Sequence, residues 1–455
     1  MKLYDVIIVG GGTGGYSAAI KCAQGKLRTA VIDERPSLGG VCLNEGCIPT
    51  KAMVQSVQAY RTAKNGEQWG FNVDGTIQAD LKSIIARKNA VVEQLTSGVR
   101  HLMDANGVEV IQGKARLTSE NKVEVNNKQY HAGQIILATG AVPKKPSIEG
   151  IDQPHVMTST EILNSEELPE EMVVIGSGAI GVEFAAIMNG LGVKVTVVEA
   201  LPNILPYSDV ELAGFYKQHL EASGIKFYLN SKVEKIEKNK VVIISNGEKL
   251  DIKCSRVLVA VGREINRSVF DEKWEKELVK DGVVETDEQM KTKVNSISAI
   301  GDINGRYWLA HVATAEGLVA AANLAGKESA MDYRFIPQCV YSDLELAGVG
   351  LTEEAAKKEN VSHKVAGFPI TSNGKAVCDG VPGGMIKLIT GTTYDDILGV
   401  HILAPHASEL IAESVMALHM EMTADELVKI IHPHPSLSEI YPEVAFSALG
   451  VGLHS

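Results

Sequence analysis

An α/β architecture, with two parallel-sheet units and a smaller α+β unit closing the chain, follows from three observations in these 455 residues. A short apolar run, a glycine-rich turn, a helical stretch and a second apolar run ending in a carboxylate occur twice, from Asp5 and from Met172. Strand and helix patterns alternate through both copies, as in parallel sheets with crossover helices. From Arg334 onward the pattern changes to strands at Cys339–Val349, Met385–Thr390 and Ile397–Leu403 with two helices, which suits a separate domain. A chain this long exceeds one core, so three or four domains are expected.

In the first copy Asp5 to Val9 reads as a buried strand, followed by Gly10-Gly11-Gly12-Thr13-Gly14-Gly15, a helix and the strand Thr29 to Asp33. In the second, Met172 to Ile175 leads into Gly176-Ser177-Gly178-Ala179-Ile180-Gly181, a helix and the strand Lys194 to Glu199. Both turns read G-x-G-x-x-G. The glycines allow a tight turn, close approach of backbone to a pyrophosphate and close helix–strand packing, with phosphate at a helix N-terminus. In each copy the carboxylate stands 23 positions after the first glycine, Gly10 to Asp33 and Gly176 to Glu199. That offset suits hydrogen bonds to ribose hydroxyls. One such turn is weak evidence; two framed copies with equal offsets imply two dinucleotides. Glu199 would repel a 2′-phosphate, and Ala200-Leu201-Pro202 offers no arginine, which favours NAD over NADP.

Directly after the first copy comes Gly39-Gly40-Val41-Cys42-Leu43-Asn44-Glu45-Gly46-Cys47-Ile48-Pro49-Thr50-Lys51. Thiols five positions apart can meet across a helical turn, and a helix N-terminus lowers the pKa of a cysteine placed there. The pair therefore reads as a redox-active centre beside a flavin held by the first copy, with the nicotinamide on the second.

The remaining segments follow in order. Residues 54 to 104 read as two amphipathic helices broken near Trp69 to Gly75, and Val108 to Tyr130 as turn-rich β structure. Ile135 to Gly140 and Val257 to Arg263 are buried strands ending in small-residue turns. Ala299-Ile300-Gly301-Asp302 closes another strand, where Asp302 either meets a ribityl hydroxyl or caps the helix around Leu309 to Ala325.

Near the C-terminus stands Ile431-His432-Pro433-His434-Pro435-Ser436-Leu437-Ser438-Glu439. A histidine with a carboxylate five residues on, in a Pro-stiffened turn, suits an imidazole oriented by a second group, as a general base requires. Helix capping is the structural alternative. A metal site on His432 and His434 lacks a third ligand at a recognisable spacing, so none is expected.

The net charge of −12 argues against nucleic-acid and acidic-membrane partners. Six scattered cysteines with one close pair fit a reducing compartment. The start at Met1 runs straight into a strand without a leader pattern, and the most apolar stretch is the second glycine turn. A cytoplasmic protein is expected.

With these motifs in view, the chain resembles the pyridine nucleotide–disulfide oxidoreductase family over essentially its whole length, and within it the branch that oxidises dihydrolipoamide. The most specific matches are the Cys42–Cys47 segment and His434-Pro435-Ser436-Leu437-Ser438-Glu439. The resemblance implies a homodimer of four-part subunits: an FAD domain over residues 1–143, an NAD domain over 144–263, a central segment over 264–333 and an interface domain over 334–455. It implies that Gly10, Gly12, Gly15, Asp33, Glu34, Gly40, Val41, Gly113, Thr139, Gly140, Gly301 and Asp302 serve FAD, with Leu309-Ala310-His311 passing the flavin. Lys51 is then near the flavin and paired with Glu183, and Cys42 and Cys47 form the redox disulfide. Gly176, Gly178, Ala179, Ile180, Gly181, Glu199, Val233 and Gly262 serve NAD. His434 is the base and Glu439 its orienting partner, both reaching the other subunit's disulfide across a cis His434–Pro435 bond.

The implied activity is oxidation of protein-bound dihydrolipoamide with reduction of NAD⁺. The partner is a lipoyl-bearing acyltransferase or a glycine-cleavage lipoyl carrier, since no lipoyl domain precedes Met1. Asp33 stands where the family usually has Glu, Glu264-Ile265 where it has Arg-Pro, and Ser342-Asp343-Leu344-Glu345 where it has Thr-x-Pro-Glu. A mercuric reductase would want a C-terminal cysteine pair, whereas the last cysteine here is Cys378. A glutathione-type reductase would want arginines after the second strand of the second copy. A pure scaffold would have no use for Cys42, Cys47 and His434.

Overall fold

The structure, a computed structural model, describes residues 3–454. Three principal sheets organise it. The first places Glu109–Gln112, Thr29–Asp33, Leu3–Val9 and Lys128–Leu137 side by side in parallel, with antiparallel Lys122–Val125 and Ala115–Ser119 beyond. Ile297–Ala299, far along the chain, returns to pair in parallel with Ile135 to Leu137. Ile7, Ile8, Ile135 and Ile136 are fully buried because both faces of the parallel strands are covered there: Ile8 and Ile136 pack with the helices Thr13–Gln24, Leu81–Ala105 and Ala310–Leu324, and Ile7 and Ile135 with Leu117, Val123, Val125 and Trp274.

The second sheet is wholly parallel, in the order Lys226–Tyr228, Lys194–Val198, Glu171–Ile175, Arg256–Val259, Val156–Met157. An antiparallel three-stranded sheet, Ser231–Glu237, Lys240–Ser245 and Glu248–Lys253, stands beside it. A short antiparallel ribbon, Ala141–Pro143 with Arg263–Ile265, joins the chain entering this unit to the chain leaving it.

The third sheet is antiparallel, ordered Gln338–Val340, Glu345–Gly350, Ile397–Ala404, Met385–Gly391, His363–Pro369. The stretch expected as one strand from Cys339 to Val349 is two strands with a turn at Tyr341 to Leu344. Ser342 makes the turn: its hydroxyl donates to Leu344 O at 2.5 Å and accepts from Tyr216 at 2.7 Å. His363–Pro369 escapes the sequence reading because Gly367 and Pro369 look like breakers; at a sheet edge proline costs no ladder bond. Two longer helices, Ala407–His419 and Ile440–Ala448, are joined by shorter ones at Glu353–Lys358, Gly374–Cys378 and Ala424–Leu427.

The two helices expected within residues 54–104 are Cys47–Lys64 and Leu81–Ala105. The first packs against the helix Ala179–Gly190 of the second glycine turn, Met53 and Val57 joining Phe184 and Ile187 in one core. That contact positions the active site, since it aligns the helix that begins at Cys47 with the one that carries Glu183. Among the described residues no helix is long and apolar enough to cross a membrane.

Candidate active site

Cys42 lies on the short helix Gly40–Glu45, and Cys47 is the first residue of the 18-residue helix Cys47–Lys64. Gly46 turns the chain between them, bringing the thiols into a hydrogen bond. Cys47 is held down to about 7, first by the Cys42 S–H it accepts and then, against the cost of burial, by the Lys51 ammonium. Cys42 is pushed up as the donor of that bond and by its own burial. The two thiols are thus pushed in opposite directions, Cys47 down and Cys42 up.

Lys51 follows Cys47 by one turn of the same helix. Its Nζ bonds both oxygens of Glu183 at 2.9 and 2.8 Å, and Glu183 is 6% exposed. The same carboxylate accepts the backbone N–H of Tyr341 at 3.1 Å, and Nζ lies 4.3 Å from the Tyr341 ring centroid. The redox pair, the second glycine helix and the C-terminal sheet thus meet at one ammonium.

Both thiols line a cleft of about 410 Å³ whose walls include Gly10, Gly12, Gly15, Asp33, Glu34, Gly40, Val41, Lys51, Gly113, Thr139, Gly140, Gly301, Asp302, Leu309 and Ala310. Ala179, Ile180 and Glu183 enter it from the second unit. His311 does not line it; its Nε2 bonds Pro337 O at 3.0 Å. Gly176, Gly178, Gly181, Glu199, Val233 and Gly262 lie outside it. Asp302 sits in the 3-10 turn Gly301–Asn304 and caps no helix, since Leu309 occupies the cap position of Ala310–Leu324. Burial raises the Asp302 carboxyl, with Arg263 opposing at 3.8 Å.

The glycines test whether a dinucleotide fits. Gly10 and Gly176 hold φ of +107° and +99°, where a Cβ would meet Ala138 O at 2.2 Å and Ala260 O at 2.5 Å. Gly15 and Gly181 pack so closely that a Cβ would sit 1.9 and 2.1 Å from Gly10 O and Gly176 O. The chain itself therefore demands the first and third glycines. The middle ones differ: Gly178 has extended backbone and nothing within 4 Å of its Cβ position, and Gly12 meets Gly40 Cα at 3.8 Å. Open space at the N-terminus of a helix fits a phosphate brought against the backbone. Asp33 accepts Gly11 N at 2.6 Å and Arg35 N at 2.8 Å, while Glu199 accepts Ser177 N at 2.7 Å, Ser177 Oγ at 2.8 Å and Leu201 N at 2.9 Å. Each carboxylate is thereby fixed at its strand end, where a ribose is expected.

His434 Nδ1 donates to Glu439 Oε1 at 2.8 Å, leaving Nε2 as the basic nitrogen of a ring whose side chain is 80% exposed. Glu439 is held below the usual carboxylate range first by the Ser436 N–H, at 2.8 Å, and then by His434. His434–Pro435 is cis. His432 pairs separately, Nε2 to Glu413 at 2.8 Å, so the two histidines share no site. Among the described residues no group of three or more His, Cys, Asp or Glu could hold a metal.

Residues that spacing could not reveal hold the cleft together. Glu316, fully buried, accepts Gly301 N at 2.6 Å, Asn304 Nδ2 at 2.9 Å and the Tyr333 hydroxyl at 2.7 Å, fixing the turn that presents Asp302. Thr139 Oγ1 donates to Asn266 O at 3.0 Å, tying the first unit to the chain that leaves the second.

A dithiol pair in a cleft walled by one glycine turn and touched by another defines a nucleotide-dependent disulfide oxidoreductase. The chain belongs to the pyridine nucleotide-disulphide oxidoreductase family, matched over residues 4–317, with that family's dimerisation domain over residues 336–445. The dimerisation domain supports a homodimer. The chain is 38% identical over 472 residues to a dihydrolipoyl dehydrogenase of Bacillus subtilis, covering 99% of each, and 40% identical over 455 residues to one of Thermus scotoductus, covering 98% and 97%. It is similar in structure to the HOCl-induced flavoprotein disulfide reductase RclA of Escherichia coli, with TM-score 0.87, 28% identity and coverage of 97% and 99%.

Proposed function

We propose that the chain is an NAD-dependent dihydrolipoamide dehydrogenase working as a homodimer, with a lipoyl-bearing protein of a 2-oxoacid dehydrogenase or glycine cleavage complex as substrate. The Cys42–Cys47 pair, lining with Lys51 the cleft that the first glycine turn walls, carries the reading. Gly10, Gly12, Gly15, Asp33, Glu34, Gly113, Thr139, Gly140 and Asp302 would hold FAD, and Gly176 to Gly181 with Glu199 would hold NAD. Bound FAD supplies a two-electron relay, and bound NAD⁺ supplies the terminal hydride acceptor.

The chain's own groups handle sulfur and protons. In the dimer, His434 Nε2 of one subunit serves the other subunit's disulfide. It takes a proton from one substrate thiol, because the thiolate is the attacking species. That thiolate attacks Cys42 Sγ in the oxidised pair; the Cys42–Cys47 bond breaks, a substrate–Cys42 disulfide forms and Cys47 leaves as thiolate. Lys51 stabilises that charge. The second substrate thiol loses its proton to solvent, and its thiolate attacks the substrate sulfur of the mixed disulfide, releasing Cys42 as thiolate. Oxidised substrate departs with a new S–S bond, its two electrons remain on the cysteine pair, and His434 returns one proton to Cys42. Glu439 keeps the ring in the tautomer that leaves Nε2 free.

Protein loaded with FAD should reduce NAD⁺ with dihydrolipoamide at a high rate, and neither NADP⁺ nor reduced glutathione should substitute. Turnover with glutathione but not dihydrolipoamide would reject the substrate.

A further inference from the structure

We infer that Tyr341, at the strand break of the C-terminal sheet, is a positioning residue that holds the Lys51 ammonium where it acts on Cys47. The inference deepens the proposed function, since it takes Cys47 as the thiol that carries charge. Lysine is a flexible stem bearing a point charge, and Lys51 is 31% exposed. Glu183 holds Nζ by both oxygens, at 2.9 and 2.8 Å, but that carboxylate also opposes a thiolate at Cys47 while the ammonium favours it. The Tyr341 ring supplies a second attraction on the same Nζ, 4.3 Å from the centroid, within cation–π range. The Tyr341 N–H meanwhile restrains Glu183 Oε1 at 3.1 Å. Ring and backbone thus bound the ion pair from a third element, and a side-chain substitution removes the ring while leaving the N–H.

The titratable and charged groups facing Cys47 are Cys42 from the preceding helix, Lys51 from its own, Glu183 from the second glycine helix and Arg263 from the joining ribbon. Tyr341 acts on none of them except the Lys51–Glu183 pair, so its effect should pass entirely through Lys51.

The test uses FAD-loaded protein with Cys42→Ser, which leaves Cys47 as the cleft's unpaired redox thiol, and follows iodoacetamide alkylation of Cys47 against pH by peptide mass spectrometry. Tyr341→Leu should raise the midpoint by about half a unit, read as about threefold slower alkylation below it. Tyr341→Phe should restore it, and with Lys51→Met in place Tyr341→Leu should have no further effect. An unchanged midpoint in Tyr341→Leu, or an equal shift with Lys51→Met, would overturn the inference. Tyr341→Met takes the place of the leucine variant if the latter loses FAD, with the same outcomes. The alkylation needs neither dihydrolipoamide nor NAD⁺, so a failed substrate assignment would leave its result standing.

Discussion

Replacing Gly178 by alanine separates what the fold requires from what a bound dinucleotide requires. The Gly178 backbone is extended, φ −68° and ψ 178°, and its Cβ position has no atom within 4 Å. It is also the N-cap of Ala179–Gly190. Alanine caps less well than glycine by about 0.5–1 kcal/mol. It also narrows the unfolded ensemble, which stabilises by about 0.4–1 kcal/mol. The two offset, so thermal stability should stay within about 1 kcal/mol of the parent. If the open space receives the NAD pyrophosphate, a methyl there blocks a charge-assisted backbone contact of about 1.5–3 kcal/mol, a roughly ten- to hundredfold rise in the KM for NAD⁺. FAD content and thermal melting report the fold, and steady-state kinetics over NAD⁺ concentration reports the site. An unchanged KM would refute the placement of the nicotinamide dinucleotide, and an unfolded variant would refute the reading of the space as open. Gly181→Ala is the contrast: its Cβ would lie 2.1 Å from Gly176 O, so it should disrupt the second unit itself.

Cys42→Ser should abolish dihydrolipoamide turnover with FAD retained, checked by the flavin absorbance of purified protein. His434→Gln should depress that turnover far more than NADH-to-dye transfer; equal losses would assign His434 a structural role. Asp343 should give acid-sensitive stability. Burial alone would raise its carboxyl, but the His219 hydrogen bond at 3.1 Å and the charges of His219 and Arg61 bring it down to about 2. A depressed folded pKa contributes stability above the unfolded value near 4, lost as pH falls through 2. Denaturant midpoints of the parent and Asp343→Asn should therefore differ at pH 6 and converge between pH 4 and 2.

What was legible in the sequence is what spacing along the chain encodes. The two glycine turns, Asp33 and Glu199, the Cys42–Cys47 pair and the His434–Glu439 dyad each lie within one turn or one βαβ unit, so local geometry announces them. The match of Lys51 to Glu183, 132 residues apart, came from resemblance rather than from pattern. Glu316, Tyr333, Tyr341 and the Arg61–Asp343–His219 cluster stayed hidden because their partners come from other elements, and a buried carboxylate in a helix looks in sequence like a solvated one. The turn at Tyr341 was hidden for a related reason: Val340 to Leu346 alternates like a continuous strand, and the serine hydroxyl that breaks it finds its other partner, Tyr216, 126 residues away.

The most direct measurement treats FAD-loaded protein anaerobically with one equivalent of dihydrolipoamide, quenches with iodoacetamide and maps the labelled peptides. The peptide carrying Cys42 and Cys47 should be unlabelled in the oxidised protein and labelled after reduction. Equal labelling before and after, or label confined to Cys22, Cys254, Cys339 or Cys378, would contradict the assignment of this pair as the substrate's electron acceptor.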